Sequence, residues 1–142
     1  MSQPARAQTL RRLRLFTLTL GGLLLLWLPV EDESEHWVIL LAAAICSLFA
    51  ARLLVTPLPR SWLGWLPRNE WPHWLAYPGL AALAGLGITP VALFLMAFKS
   101  GVHGHSRPDF TPDQLASVIA RTPLWVAAGL LVGLGIALYK KK

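Results

Sequence analysis

Four long apolar runs divide the chain, at about residues 15–30, 37–55, 75–98 and 123–139, and the charged residues fall almost entirely between them. Runs of this kind read as helices able to cross a hydrocarbon core about 30 Å thick, which takes roughly 20 residues at 1.5 Å each. The connection over 30–36 is too short for anything but an antiparallel hairpin of the first two helices. Trp27 and Trp37 flank that turn, as aromatic anchors at one interface do. The fold expected is all-α: a single integral-membrane domain over 1–142, built as a four-helix bundle.

The charges between the runs set the orientation. At one set of ends stand Arg6, Arg11, Arg12, Arg14, Arg52, Arg60, Arg68, Lys140, Lys141 and Lys142 against the single acid Glu70, a balance of about +9. At the other stand Glu31, Asp32, Glu33, Glu35, Asp109 and Asp113 against Lys99, Arg107 and Arg121, about −3. The positive-inside rule then puts both termini in the cytoplasm, N-in and C-in.

Within the runs, small residues mark helix-packing faces. The second has Ala43, Ser47 and Ala51 at a four-residue spacing, the third has Ala81 and Gly85, and the fourth has Gly129 and Gly133 as a GxxxG. The last is a face for packing within the chain or between copies. Pro90 predicts a kink in the third helix. Arg52, near the end of the second run, can snorkel to the basic side.

Two connections carry more information. Segment 56–74 holds Pro57, Pro59, Pro67 and Pro72 with Trp62, Trp65, Trp71 and Trp74. Proline at this density excludes one regular helix, and tryptophan at this density suits the headgroup layer or a docking surface for a partner or pigment. His73 reads as interfacial in the same way. The extracytoplasmic loop 99–122 ends in a strong helix start. Thr111 fits the N-cap, Pro112 the first helical position and Gln114 the reciprocal cap, with Phe110 and Leu115 spaced as a hydrophobic staple. Leu115, Val118 and Ile119 give one apolar face, so a short amphipathic helix is expected at 111–121. Thr122-Pro123 repeats the cap logic at the start of the fourth span.

Composition narrows the function classes. Of 142 residues 55% are hydrophobic and 14% charged. Four spans leave no room for a soluble domain of about 100 residues. The net charge of +6 lies at membrane borders and is not a nucleic-acid signal. Cys46, the only cysteine, falls in mid-span, cannot form an internal disulfide, and reads as a small buried hydrophobe. The basic N-terminus followed by an apolar run resembles a signal peptide, but Trp27-Leu28-Pro29-Val30-Glu31 offers no small-residue cleavage site, so a retained first helix is expected.

Reactive chemistry is sparse. The apolar cores of the expected spans contain no Asp, Glu, Lys or His, and their main polar side chains are Thr17, Thr19, Ser47 and Thr89. Coupled transporters usually need intramembrane ionisable groups. The candidate site is His103-Gly104-His105 followed by Asp109. His36 and the carboxylates of Glu31, Asp32, Glu33 and Glu35 lie on the same side, and imidazole with carboxylate suits a divalent metal such as zinc. The alternative is that these are ordinary loop histidines. Enzyme signatures are absent: there is no Gly-x-Ser-x-Gly, no phosphate-binding glycine loop and no Cys-x-x-Cys.

Lys99-Ser100-Gly101-Val102-His103-Gly104-His105, Pro108-Asp109-Phe110-Thr111-Pro112 and Arg121-Thr122-Pro123-Leu124-Trp125 resemble a segment of small uncharacterised polytopic membrane proteins of cyanobacteria. The resemblance implies a bacterial plasma membrane or a thylakoid membrane, with the acidic side toward periplasm or lumen, and transfers no site. The role expected is non-catalytic: an accessory subunit or assembly factor of a larger membrane complex, with Trp62, Trp65, Trp71, Trp74, Gly129 and Gly133 as contact residues. Its partners are the lipid bilayer and other membrane subunits or further copies, with no nucleic acid and no cofactor. A small oligomeric transporter or channel component, or a metal-binding protein using His103, His105, Asp109 and His36, are the alternatives.

Overall fold

The computed structural model describes residues 3–30, 34–55, 73–104 and 109–140. Among these the chain is all-α, with five helices: α1 (Gln3–Trp27), α2 (Glu35–Val55), α3 (His73–His103), α4 (Pro112–Ala120) and α5 (Thr122–Lys140). Three stretches are long and apolar enough to cross a membrane: Glu35–Val55, Ala76–His103 and the α4–α5 run Pro112–Tyr139. The first expected span is not among them. Helix α1 begins twelve residues before the apolar run and carries Arg6, Arg11, Arg12 and Arg14 in its first half. Its apolar part, 15–27, covers roughly 20 Å at 1.5 Å per residue.

The α3–α5 contact is the most extensive in the fold, followed by α2–α3 and α1–α2. Among the described residues the α1 backbone runs close only to that of α2, and neither α1 nor α2 runs backbone-close to α5. The helices therefore follow one another in a row, α1–α2–α3–α5, an order within the expected four-helix bundle that the sequence left open. The reason lies in the third and fourth runs. A Cβ on Gly85 would collide with the backbone carbonyl of Trp125, and one on Gly129 with the carbonyl of Ala81. A Cβ on Gly133 would lie 2.5 Å from the Pro78 Cα. The two small-residue faces are thus each other's partners, antiparallel and backbone to backbone, as small residues permit.

Helix α2 meets α3 through a face that adjoins the small-residue stripe, of which Ala43 packs against the core. Val38, Ile39, Ala42 and Cys46 are buried, and a Cβ on Gly87 would stand 3.3 Å from the Cys46 Sγ. The Ala43–Ser47–Ala51 stripe lies beside this contact. Ser47 and Ala51 instead line an apolar groove of about 330 Å³ between α2, α3 and α5. Helix α3 continues through Pro78 and Pro90 and ends at Gly104, whose φ of 63° is the left-handed stop that glycine makes easily.

The short amphipathic helix forms where expected. The Thr111 N–H donates to Gln114 Oε1 at 2.7 Å, and the Gln114 N–H donates to Thr111 Oγ1 at 3.3 Å, with Pro112 in the first turn. Phe110 and Val118 are buried in the core and Leu115 packs against it. Helix α4 closes one end of the row, touching α2, α3 and α5. Thr122 departs from the expected capping role: it lies inside α5, and its hydroxyl bonds back to the Ile119 carbonyl at 2.7 Å.

Candidate functional site

The end closed by α4 is where polar chemistry gathers in an otherwise apolar molecule. It is assembled around Lys99, which the sequence placed outside the third span. Helix α3 instead runs past it to His103, and Lys99 is 0% exposed, the largest fully buried side chain among the described residues. The apolar cores of the helices are therefore not free of ionisable groups. The Lys99 Nζ lies 4.3 Å from the ring centroid of Trp27, at the end of α1, and 5.9 Å from that of Phe110. An ammonium over aromatic faces is attracted by their negative quadrupole, and the attraction grows when water is excluded. Lys99 thus ties α1, α3 and the chain leading into α4 to one point.

One turn further along α3, His103 Nδ1 is 2.7 Å from Asp109 Oδ2. A carboxylate can only accept, so Nδ1 carries the proton and donates it. Asp109 is held from a second direction, because its backbone N–H donates to Ser100 Oγ at 3.2 Å. Ser100 and His103 share a helix face by their i, i+3 spacing, so together they fasten the start of the α4 connection onto α3. A second carboxylate fastens the other side. Glu35, in the first turn of α2, accepts from Arg121 at 2.8 Å through Oε1 and from the Ser117 hydroxyl at 2.8 Å through Oε2. Deeper in, the hydroxyls of Thr89 and Thr122 meet at 2.7 Å.

The sequence-derived candidates separate on this map. His103 and Asp109 come together. His36 is exposed on α2, with Nδ1 3.4 Å from Ser34 Oγ. His105, Glu31, Asp32 and Glu33 lie outside the described residues, as do Trp62, Trp65 and Trp71. Trp74 falls in the first turn of α3, and nothing is described of its side chain. Among the described residues no three of His, Cys, Asp and Glu are grouped to hold a metal ion. The His103–Asp109 pair itself has the form of a carboxylate that orients an imidazole. Gly129 and Gly133 are engaged with α3 of their own chain.

Sequence reasoning missed Lys99, Trp27 and Glu35 as parts of one cluster. The available signal was the spacing of Lys99 from Ser100 and His103, which continues the third run by one helical turn. As it stands, the cluster is a set of charge-assisted bonds that locks α4 across the end of three helices. Among the described residues of the cluster, no nucleophile is set against a base. Comparison of the chain with protein-family models, curated proteins and solved structures finds no match.

Proposed function

We propose that this chain is a multi-pass membrane protein whose helices α1, α2, α3 and α5 all cross the bilayer, N-in and C-in, and that it serves as a non-catalytic accessory subunit or assembly factor of a larger membrane complex. The observation that carries this reading is the open row. Helix α5 packs on α3 along its glycine face, and around its remaining surface Leu124, Leu131, Val132 and Leu138 are exposed, Leu131 at 69%. Helix α1 at the other edge exposes Leu15, Phe16, Leu18, Leu25 and Leu26, Leu18 at 73%. A row buries little of itself and presents two broad apolar faces and two edges. In a bilayer such faces are covered by lipid or by the helices of other subunits. The charge balance supports the orientation, and the apolar part of α1 is completed by arginines that reach the interface with their stems in lipid.

The test is solubilisation of native membranes in mild detergent, then native electrophoresis with mass spectrometry of the co-migrating proteins. Stoichiometric co-migration with a larger complex is the expected result. Migration as a monomer or small homo-oligomer counts against a stable subunit. Orientation is tested separately: cysteines placed at Ser34 and Ser106 are labelled only from outside the cell, and one at Ser61 only from inside.

Lys99 favours a second reading, an oligomeric transporter component, because ionisable groups buried in membrane proteins mark transport paths more often than lipid-facing structure. Transport by reconstituted protein that Lys99→Met abolishes, with folding kept, would establish it. A metal-binding role for the His103 loop is tested by replacing His103 and His105 with Ala. Unchanged metal content in the purified protein removes that reading.

A further inference from the structure

The α1–α2 pair leaves a gap that the rest of the fold does not. A groove of about 300 Å³ runs between the two helices, with apolar walls from Leu20 and Leu24 on one side and Ile45 and Phe49 on the other. It exists because Gly21 contributes no side chain: a Cβ built there meets nothing within 4 Å. Along the axis the groove covers the eight residues from Thr17 to Leu24, about 10 Å at a rise of 1.5 Å per residue. Its wall is apolar at every level but one. At the basic end the Arg52 guanidinium donates to Thr17 Oγ1 at 3.3 Å, and both residues are exposed and line the groove mouth. Arg14 lies one turn before Thr17 on α1 and is also exposed. The larger groove between α2, α3 and α5 has no charged residue in its wall.

We infer that the α1–α2 groove binds one anionic glycerophospholipid, with an acyl chain along Gly21 and the phosphate on Arg52. The inference rests on the proposal that α1 and α2 lie in the bilayer. The charge decides the occupant. A purely apolar groove takes any acyl chain, whereas a guanidinium fixed at its mouth presents forked N–H donors that match phosphate oxygens. The mouth lies at the end of the molecule that carries Arg11, Arg12 and Arg14, where anionic headgroups are attracted on the cytoplasmic side. A net negative lipid gains there, and a zwitterionic lipid brings its own cation against the arginines.

The full chain is purified in mild detergent, stripped of lipid, and offered equal amounts of phosphatidylglycerol and phosphatidylcholine, with bound lipid counted by native mass spectrometry. One phosphatidylglycerol is retained at least about fivefold over phosphatidylcholine, the scale of a charge-assisted contact. Arg52→Gln and Gly21→Leu each lower that retention by about the same factor, the first by removing the headgroup partner and the second by filling the groove with every charge in place. Gly22→Leu, next to the groove but outside its wall and also facing open space, retains the lipid as the native chain does. Equal binding of the two lipids, native retention by either Arg52→Gln or Gly21→Leu, or displacement of the lipid by inorganic phosphate overturns the inference. Extraction of cell membranes with alkaline carbonate separates the two failures. Release of the native chain sinks the bilayer reading itself, whereas a chain that stays in the membrane without lipid preference sinks only this site.

Discussion

The α3–α5 seam and the α1–α2 pair both place glycines in mid-helix, and they use them in opposite ways. In the seam Gly85, Gly129 and Gly133 are the contact, with partner backbone where a side chain would be. In the pair, Gly21 and Gly22 have nothing within 4 Å of a Cβ. Glycine in a helix interior is unfavourable by about 0.5–1 kcal/mol relative to alanine. The seam offsets that loss with backbone-close packing along about two helical turns, while the pair leaves a groove. A glycine pair read from sequence therefore announces close approach only when a second small-residue face stands opposite it. Ala81 stands opposite Gly129, and nothing comparable on α2 stands opposite Gly21.

This contrast can be broken most forcefully at the seam. Gly129→Ala places a methyl group on the Ala81 carbonyl, which belongs to backbone and cannot turn away. We expect a loss of about 3 kcal/mol or more, read as a collapse of thermal stability in detergent and of accumulation in the membrane. The polar end comes next. Lys99→Ala leaves a void between Trp27 and Phe110 and costs about 2–3 kcal/mol. Lys99→Met refills most of that volume, so its unfolding midpoint returns most of the way if stem packing dominates and stays low if the charge is required. Glu35→Ala leaves Arg121 and Ser117 without their shared acceptor. Because the Arg121 side chain is 39% exposed, the expected loss is only about 1–2 kcal/mol after solvent screening, and it shows first as faster hydrogen exchange in α4. Thr111→Ala removes half the capping box and costs about 1 kcal/mol, with the same readout. The smallest effect has the opposite sign. Gly22→Ala adds helix propensity without touching anything and raises stability by about 0.5–1 kcal/mol. A loss there would mean that the α1–α2 pair is packed like the seam after all.

What was legible along the chain followed local rules. The capping box depends only on Thr111, Pro112 and Gln114, residues close enough to find each other within one turn, and the structure contains it. The helical runs depend on local apolar content, and their ends shifted by several residues because a helix can carry a charged residue inward when tertiary partners receive it. Lys99 is the instance: its hydropathy says loop, and the faces of Trp27 and Phe110 make it core. The His103–Asp109 bond was half legible, since both residues had been singled out as metal ligands. What brings them together is Ser100 and the turn at Gly104, a local arrangement whose effect is to anchor α4. The interface on α2 was legible only in part: Ala43 of the small-residue stripe packs against the core, while the most buried residues are the larger Val38 and Ile39 with Ala42 and Cys46 beside it.

By itself, then, the sequence determined that this protein is helical and that long apolar runs separated by charged connections make up most of it. These are properties of single segments, set by hydrogen bonding within a helix and by the transfer of apolar side chains out of water. Only the tertiary structure decided that the helices form an open row, that one glycine motif is a seam and another the floor of a groove, and that a lysine sits buried beneath a tryptophan. Those outcomes depend on which surfaces meet. In a chain so uniformly apolar many pairings are nearly equal in hydrophobic energy, so steric fit and a few polar bonds choose among them.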